Sequence, residues 1–126
     1  MPDQVDYRLI DSSVTLTPAV STGGTLSLPA VTGKYHYIYA ITAQRTCATA
    51  LVIGTGALTI TTTNLSGSPQ WQLGNAMAVG QIEKDIEIVF ANCLRSQSAG
   101  TATTFVFPAP GTNVTWNATV WYTVGD

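Results

Sequence analysis

NVTWNATVWYTVGD, residues 113–126, carries the pattern that decides the fold. Val114, Trp116, Ala118, Val120, Tyr122 and Val124 alternate with Thr115, Asn117, Thr119, Trp121 and Thr123. Side chains of a strand point to opposite faces in turn, so this period of two predicts a long strand with one apolar face across a core. Trp121 breaks the otherwise hydroxyl and amide row on the other face.

The same period recurs upstream. Val14/Leu16 and Leu26/Leu28 predict short strands on either side of VSTGG, the second ended by Pro29. GKYHYIYAITAQRT, residues 33–46, follows. There Tyr35, Tyr37, Tyr39 and Ile41 are expected on one face and His36, Ile38, Ala40 and Thr42 on the other. Neither face is clearly wet, so both must be covered, by a second layer of the chain or by a neighbouring subunit. Residues 48–53 and 58–63 predict a hairpin around Gly54-Thr55-Gly56. The turn cluster NLSGSPQ, 64–70, leads to a short strand at Trp71 and Leu73, and GNAMAVGQ, 74–81, has no readable period. From Ile82 to Phe90 the expectation is Ile86, Ile88 and Phe90 inward, with Glu83, Asp85 and Glu87 outward. SQSAGT then separates a strand over 103–107, which PAPG stops.

Twenty threonines, no helical period and turn signals between short apolar runs predict an all-β chain. The expected architecture is an antiparallel two-sheet sandwich, most simply a jelly roll. A Greek-key barrel or an immunoglobulin-like sandwich is the alternative, although no Trp between Cys47 and Cys93 stands where an immunoglobulin domain would place one.

Length and charge bound the function. A chain of 126 residues is expected to form one domain able to bury a core. Only 10% of residues are charged, far below the usual quarter, so uncharged polar residues must cover the surface. Such a surface suits packing against other protein. Arg8, Lys34, Arg45, Lys84 and Arg95 make no basic stripe, so no nucleic-acid partner is expected. No opening run has a signal-peptide pattern and no window is apolar enough to span a membrane, so neither conventional secretion nor a membrane partner is expected. Cys47 and Cys93 form no C-x-x-C pair; they are either buried apolar groups or a disulfide.

Catalytic and metal chemistry find little support, and the expectation is a protein that is not an enzyme and carries no cofactor. His36 is the single histidine, and no nucleophile motif accompanies it. One His and two distant Cys do not make a zinc set. Glu83, Asp85 and Glu87 lie in a line along a strand, whereas calcium needs oxygens converging on a point. Three N-x-[ST] triplets, at Asn64, Asn113 and Asn117, follow from composition alone. Trp71, Trp121 and the tyrosines could form a sugar-stacking platform or a subunit seam, and packing is the favoured reading. Tyr35, His36, Tyr37, Tyr39, Trp71 and Trp121 are therefore the interface candidates.

YHYIYAITAQRT, TTTNLSGSPQW with GNAM behind it, and FVFPAPGTNVTWNATVWYTVGD together resemble small β-sandwich structural proteins of tailed bacteriophages, over most of residues 30–126. The resemblance rests on pattern rather than on a catalytic signature. It implies a virion component assembled in the host cytoplasm, a capsid decoration or cement protein or a head-fibre part, present as a trimer or dimer on major capsid protein. A carbohydrate-binding receptor-recognition module of a tail or head fibre is the alternative. The resemblance also implies an anchoring arm over residues 1–13 ahead of a sandwich domain over 14–126.

Overall fold

The computed structural model describes residues 12–48, 52–53, 57–74, 76–77 and 80–126. Ten strands form: β1 (Ser12–Leu16), β2 (Gly24–Leu28), β3 (Tyr35–Cys47), β4 (Val52–Ile53), β5 (Leu58–Thr63), β6 (Trp71–Leu73), β7 (Ala76–Met77), β8 (Ile82–Arg95), β9 (Thr103–Phe107) and β10 (Val114–Gly125). Two antiparallel four-stranded sheets, ordered β1-β10-β3-β8 and β2-β9-β5-β6, pack as a sandwich, with β4 and β7 in a small separate pair. Most of the expected arm, residues 1–11, lies outside the described residues; its last two, Ser12 and Ser13, pair with Tyr122 and Trp121.

The pairings are nested. β1 pairs with β10, β2 with β9, β3 with β8 and β5 with β6, as in one long antiparallel ribbon doubled back between β5 and β6. Successive rungs of that ribbon fall in opposite sheets, and the contacts β10·β3 and β9·β5 complete each sheet. Folding the ribbon this way brings its apolar sides together. Trp116, Ala118, Val120 and Tyr122 of β10 meet Ile41 and Ala43 of β3 and Ile86 of β8 on one side of the core. Leu26, Leu28, Leu58, Ile60, Phe105 and Phe107 supply the other. Trp116 is wholly buried, its indole N–H donates to the Pro108 carbonyl at 2.8 Å, and its ring meets Phe107 edge-on. A buried indole N–H left without an acceptor would be costly, so Pro108 fixes the ring as well as ending β9.

Among the described residues, β4 and β5 do not pair with each other as the hairpin expected over 48–63 would require. β5 instead turns through 64–70 to pair with β6, and its other edge takes β9, while β4 pairs with β7. The turn has local support: Asn64, Gly67 and Ser68 adopt positive φ, and the Thr62 hydroxyl donates to the Pro69 carbonyl. Residues 49–51 and 54–56, the heart of the expected hairpin, lie outside the described residues.

Two irregularities correct the expected faces. On β10, Trp121 and Tyr122 oppose Ala40 and Ile38, so Tyr39 is an extra residue. At the same level β8 passes from Val89 to Leu94, looping out residues 90–93. The β-bulge reverses the phase of β3: His36 and Ile38 are buried before it, and Ile41, Ala43, Arg45 and Cys47 after it. Further along, Gln44 faces Lys84 and Ala43 faces Ile86, which leaves Asp85 as an extra residue of β8. Asp85 therefore leaves the carboxylate row expected on the outer face and turns inward, and Glu83, opposite the buried Arg45, also falls on the inner side, so that of the three only Glu87 stays outward.

Asp85 is there to meet Arg45. The guanidinium donates through Nε and Nη2 to the two carboxylate oxygens at 2.7 and 2.8 Å, and through Nη1 to the Gly74 carbonyl at 2.8 Å. It also sits 5.6 Å from the Trp116 ring centroid, and both charged side chains are 3% exposed. A pair this dry contributes little relative to apolar packing, but losing one partner strands the other charge in the core. Arg45→Ala should therefore cost about 3–5 kcal/mol in urea unfolding, while the double change Arg45→Met with Asp85→Leu should regain most of it. An Arg45→Ala loss below about 1 kcal/mol would contradict the isolation of the pair.

Candidate functional site: the outer face of the β1-β10-β3-β8 sheet

The six interface candidates do not converge on one site. His36 is buried, with Pro29, Ser96 and Thr103 around it. The Pro29 carbonyl can only accept, so His36 Nε2 carries the hydrogen of that 2.7 Å bond. Nδ1 then accepts from the Thr103 hydroxyl at 2.8 Å, and that oxygen accepts from Asn64 Nδ2 at 3.1 Å. Asn64, at φ 60°, also takes the Ser98 N–H on its Oδ1. The chain Asn64, Thr103, His36, Pro29 is a clip between the sheets, buried at His36 and Thr103, with both imidazole nitrogens engaged and no carboxylate among these partners.

Trp71 faces inward, partly buried against the core and stacked on Phe105 at 6.4 Å between ring centroids. Tyr39 is buried in the bulge. Tyr37 lies along the chain end: its hydroxyl donates to the Asp126 carbonyl at 2.6 Å, and a Cβ on Gly125 would stand 3.4 Å from its ring. Tyr35 carries the Arg95 guanidinium 4.4 Å above its ring, and Lys34 pairs with Asp126 beside it. The two apolar-looking faces of the tyrosine segment are thus covered by different means, the inner one by the opposing sheet and the outer one by Arg95 over Tyr35 and by Gly125 and Asp126 at Tyr37.

Trp121 presents a half-buried aromatic ring on the outer face of the β1-β10-β3-β8 sheet, and register places its neighbours in rows. Ser13, Trp121, Ala40 and Val89 form one row; Thr15, Thr119, Thr42 and Glu87 the next; Asn117, Gln44 and Lys84 the third; Thr115, Thr46 and Ile82 the last. Charge occurs only on β8, at the edge. Val89 and Ile82 are 64% and 60% exposed, the two most exposed large apolar residues described. Between rows two and three, the extra residue Asp85 opens a depression of about 220 Å³ lined by Thr42, Ala43, Gln44, Lys84, Ile86, Glu87 and Asn117. Sequence reading found Trp121 but missed this hollow, because it depends on a bulge that no alternation signals.

Among the described residues no three His, Cys, Asp or Glu side chains come together as a metal set. The chain matches no family model, no curated protein and no solved structure with which it was compared.

No disulfide joins the cysteines: Cys47 is buried at the far end of β3, and Cys93 is half-buried in the looped-out part of β8. Burial pushes the Cys93 thiol above its ordinary range, opposed in part by a backbone hydrogen bond. A raised value lowers the thiolate fraction at any given pH, and the thiolate is the reactive form. Alkylation of Cys93 in the folded protein should therefore run on the alkaline side of the profile of the urea-unfolded chain, while Cys47 should react only after unfolding. Mass spectrometry after timed iodoacetamide labelling reads both; equal native reactivity at the two thiols would refute the assignment.

Proposed function

We propose that the chain is a structural component of a tailed-bacteriophage virion, a capsid decoration or cement protein that reinforces the head by bridging major capsid subunits. The observation that carries this reading is the outer face around Trp121: uncharged across its two central strands, with Val89 and Ile82 exposed on its edge strand. Aromatic and apolar anchors surrounded by neutral polar groups are what stable protein contacts use, and charged side chains are depleted from their centres. The resemblance of the segments around Tyr35, Asn64 and Val114 to phage structural proteins supplies the kind of partner.

The strand order supports a jelly roll as the finer description of the fold, since the nested ribbon pairs β1·β10, β2·β9, β3·β8 and β5·β6 are those of a rolled-up double hairpin. Reinforcement would come from area buried at subunit seams, where a specific interface takes about 1,200–2,000 Å². A trimer or dimer of the chain would multiply weak contacts, because linked copies bind as one unit.

Trp121→Ala and Val89→Glu change surface groups, so both variants should keep the wild-type melting temperature within a few degrees. Both should lose about 2 kcal/mol or more of capsid affinity, roughly thirtyfold, when titrated onto shells lacking the protein. Wild-type occupancy by the Val89→Glu variant, or no shell binding by the wild-type chain, would sink the reading.

A further inference from the structure

The outward side chains of β8 read the same from either end. Over residues 82–89 the exposed positions are Ile82, Lys84, Glu87 and Val89, and Glu83, Asp85, Ile86 and Ile88 are the more buried ones between them. Strict alternation would keep 82, 84, 86 and 88 on one face. The extra residue at Asp85 moves Glu87 and Val89 onto the face of Ile82 and Lys84 instead. The exposed set is therefore symmetric about the point between Asp85 and Ile86, in the order apolar, cation, anion, apolar.

β8 has β3 on one side and, among the described residues, no strand on the other. An edge strand presents a row of backbone donors and acceptors that can take up another strand. A regular strand fits this edge badly, because the break at Asp85 throws it out of register on one side or the other. A second copy of β8 carries the same break. Laid antiparallel about a two-fold axis between Asp85 and Ile86, the two strands meet break to break. Lys84 then stands opposite Glu87 of the second copy and Ile82 opposite Val89, each pair occurring twice. Directly opposed side chains have Cβ atoms about 4.5–5.5 Å apart, so a lysine reaches a glutamate and two branched apolar groups touch. A slide of two residues either way loses the match, setting Lys84 opposite Val89 or Ile82 opposite Glu87. Among the described residues Lys84 and Glu87 make no ion pair within the chain, so both charged groups are free to cross the seam.

We propose that the protein forms a two-fold dimer through β8, joining two four-stranded sheets edge to edge in one continuous sheet. The contact is isologous, each surface meeting its own copy. It goes beyond the capsid reading, which leaves the number of copies and their contact open, and it needs no shell. The four outward side chains stay on the outer face after pairing, so the dimer merges the two Trp121 faces into one surface. The looped-out residues 90–93 end the seam beyond Val89. A seam over 82–89 is short beside the roughly 20–30 residues a side of a standard interface, so the dimer is weak and assembles at about 100 µM or above.

The test is sedimentation equilibrium of the purified protein without any shell, from about 10 µM to about 1 mM at low salt, where exposed charges are least screened. A monomer–dimer equilibrium is expected. Lys84→Glu sets like charges opposite each other twice per dimer, and Glu87→Lys does so with the other sign, so each should weaken the dimer about tenfold or more. An equimolar mixture of the two variants should recover it, because every charged pair across the seam is again of opposite sign. The chain carrying both changes should dimerise as the wild type does. Both positions are exposed, and a melting temperature within a few degrees of wild type shows that each variant is folded. A protein still monomeric at the top of the range, or a trimer, overturns the proposal. So does a dimer that the single changes leave alone, which would run through another surface such as β1, and so does a mixture that fails to recover. None of these outcomes depends on capsid binding.

Discussion

β10 must keep one face in the core for twelve residues while lying between two other strands. Its inward row, from Val114 to Tyr122, never loses phase, and Trp116 at its centre is locked by the Pro108 carbonyl. A bulge in β10 would turn part of its apolar set outward, and the irregularities fall instead in β3, the other central strand, and in β8 at the edge. β3 takes one extra residue at Tyr39, and β8 takes Asp85 and residues 90–93. Edge strands tolerate such disruption best, and a bulged edge is also a poor template for pairing with a regular strand.

Those displaced irregularities create the features with chemical interest. Tyr39 allows His36 on one side and Arg45 on the other to reach the interior of the same sandwich, although strict alternation would send them to opposite faces. Asp85 turns inward because Arg45 is there, and the outer hollow over Ala43 and Ile86 is the other side of that movement. The polar groups buried by the two devices are satisfied: among the described residues no buried side-chain nitrogen or oxygen lacks a partner. The clip at His36 and the ion pair at Arg45 therefore fix how the two sheets sit, one near each end of β3.

Where packing and alternation agree, the fold was legible in the amino-acid order. β9, β10 and the inward set Ile86, Ile88 and Phe90 follow directly from a period of two. What escaped was long-range choice. Leu58–Thr63 has an apolar run on either side that could have paired with it, and only the local turn chemistry at Asn64, Gly67 and Ser68 selects β6. The phase change at Tyr39 was equally invisible, since a tyrosine in a run of tyrosines carries no sign that it is the extra one. Of the candidate site, Trp121 stood out because it interrupts a threonine row. The hollow beside it did not, because its lining comes from three strands whose register is set by the bulge.

The nested pairing also fixes how the protein carries load. β1 and β10 run antiparallel with Ser12 beside Tyr122, so the outer ends of the first and last strands leave the sheet at the same corner. Tension applied between those two ends acts across the ladder rather than along it. It would open the β1·β10 pairs one after another, like a zip, instead of shearing all of them at once. A force entering through the sheet face at Trp121 meets the opposite geometry, pressing β10 onto the Trp116 core. Anchored by its face, the sandwich is stiff; pulled by its two ends, it peels.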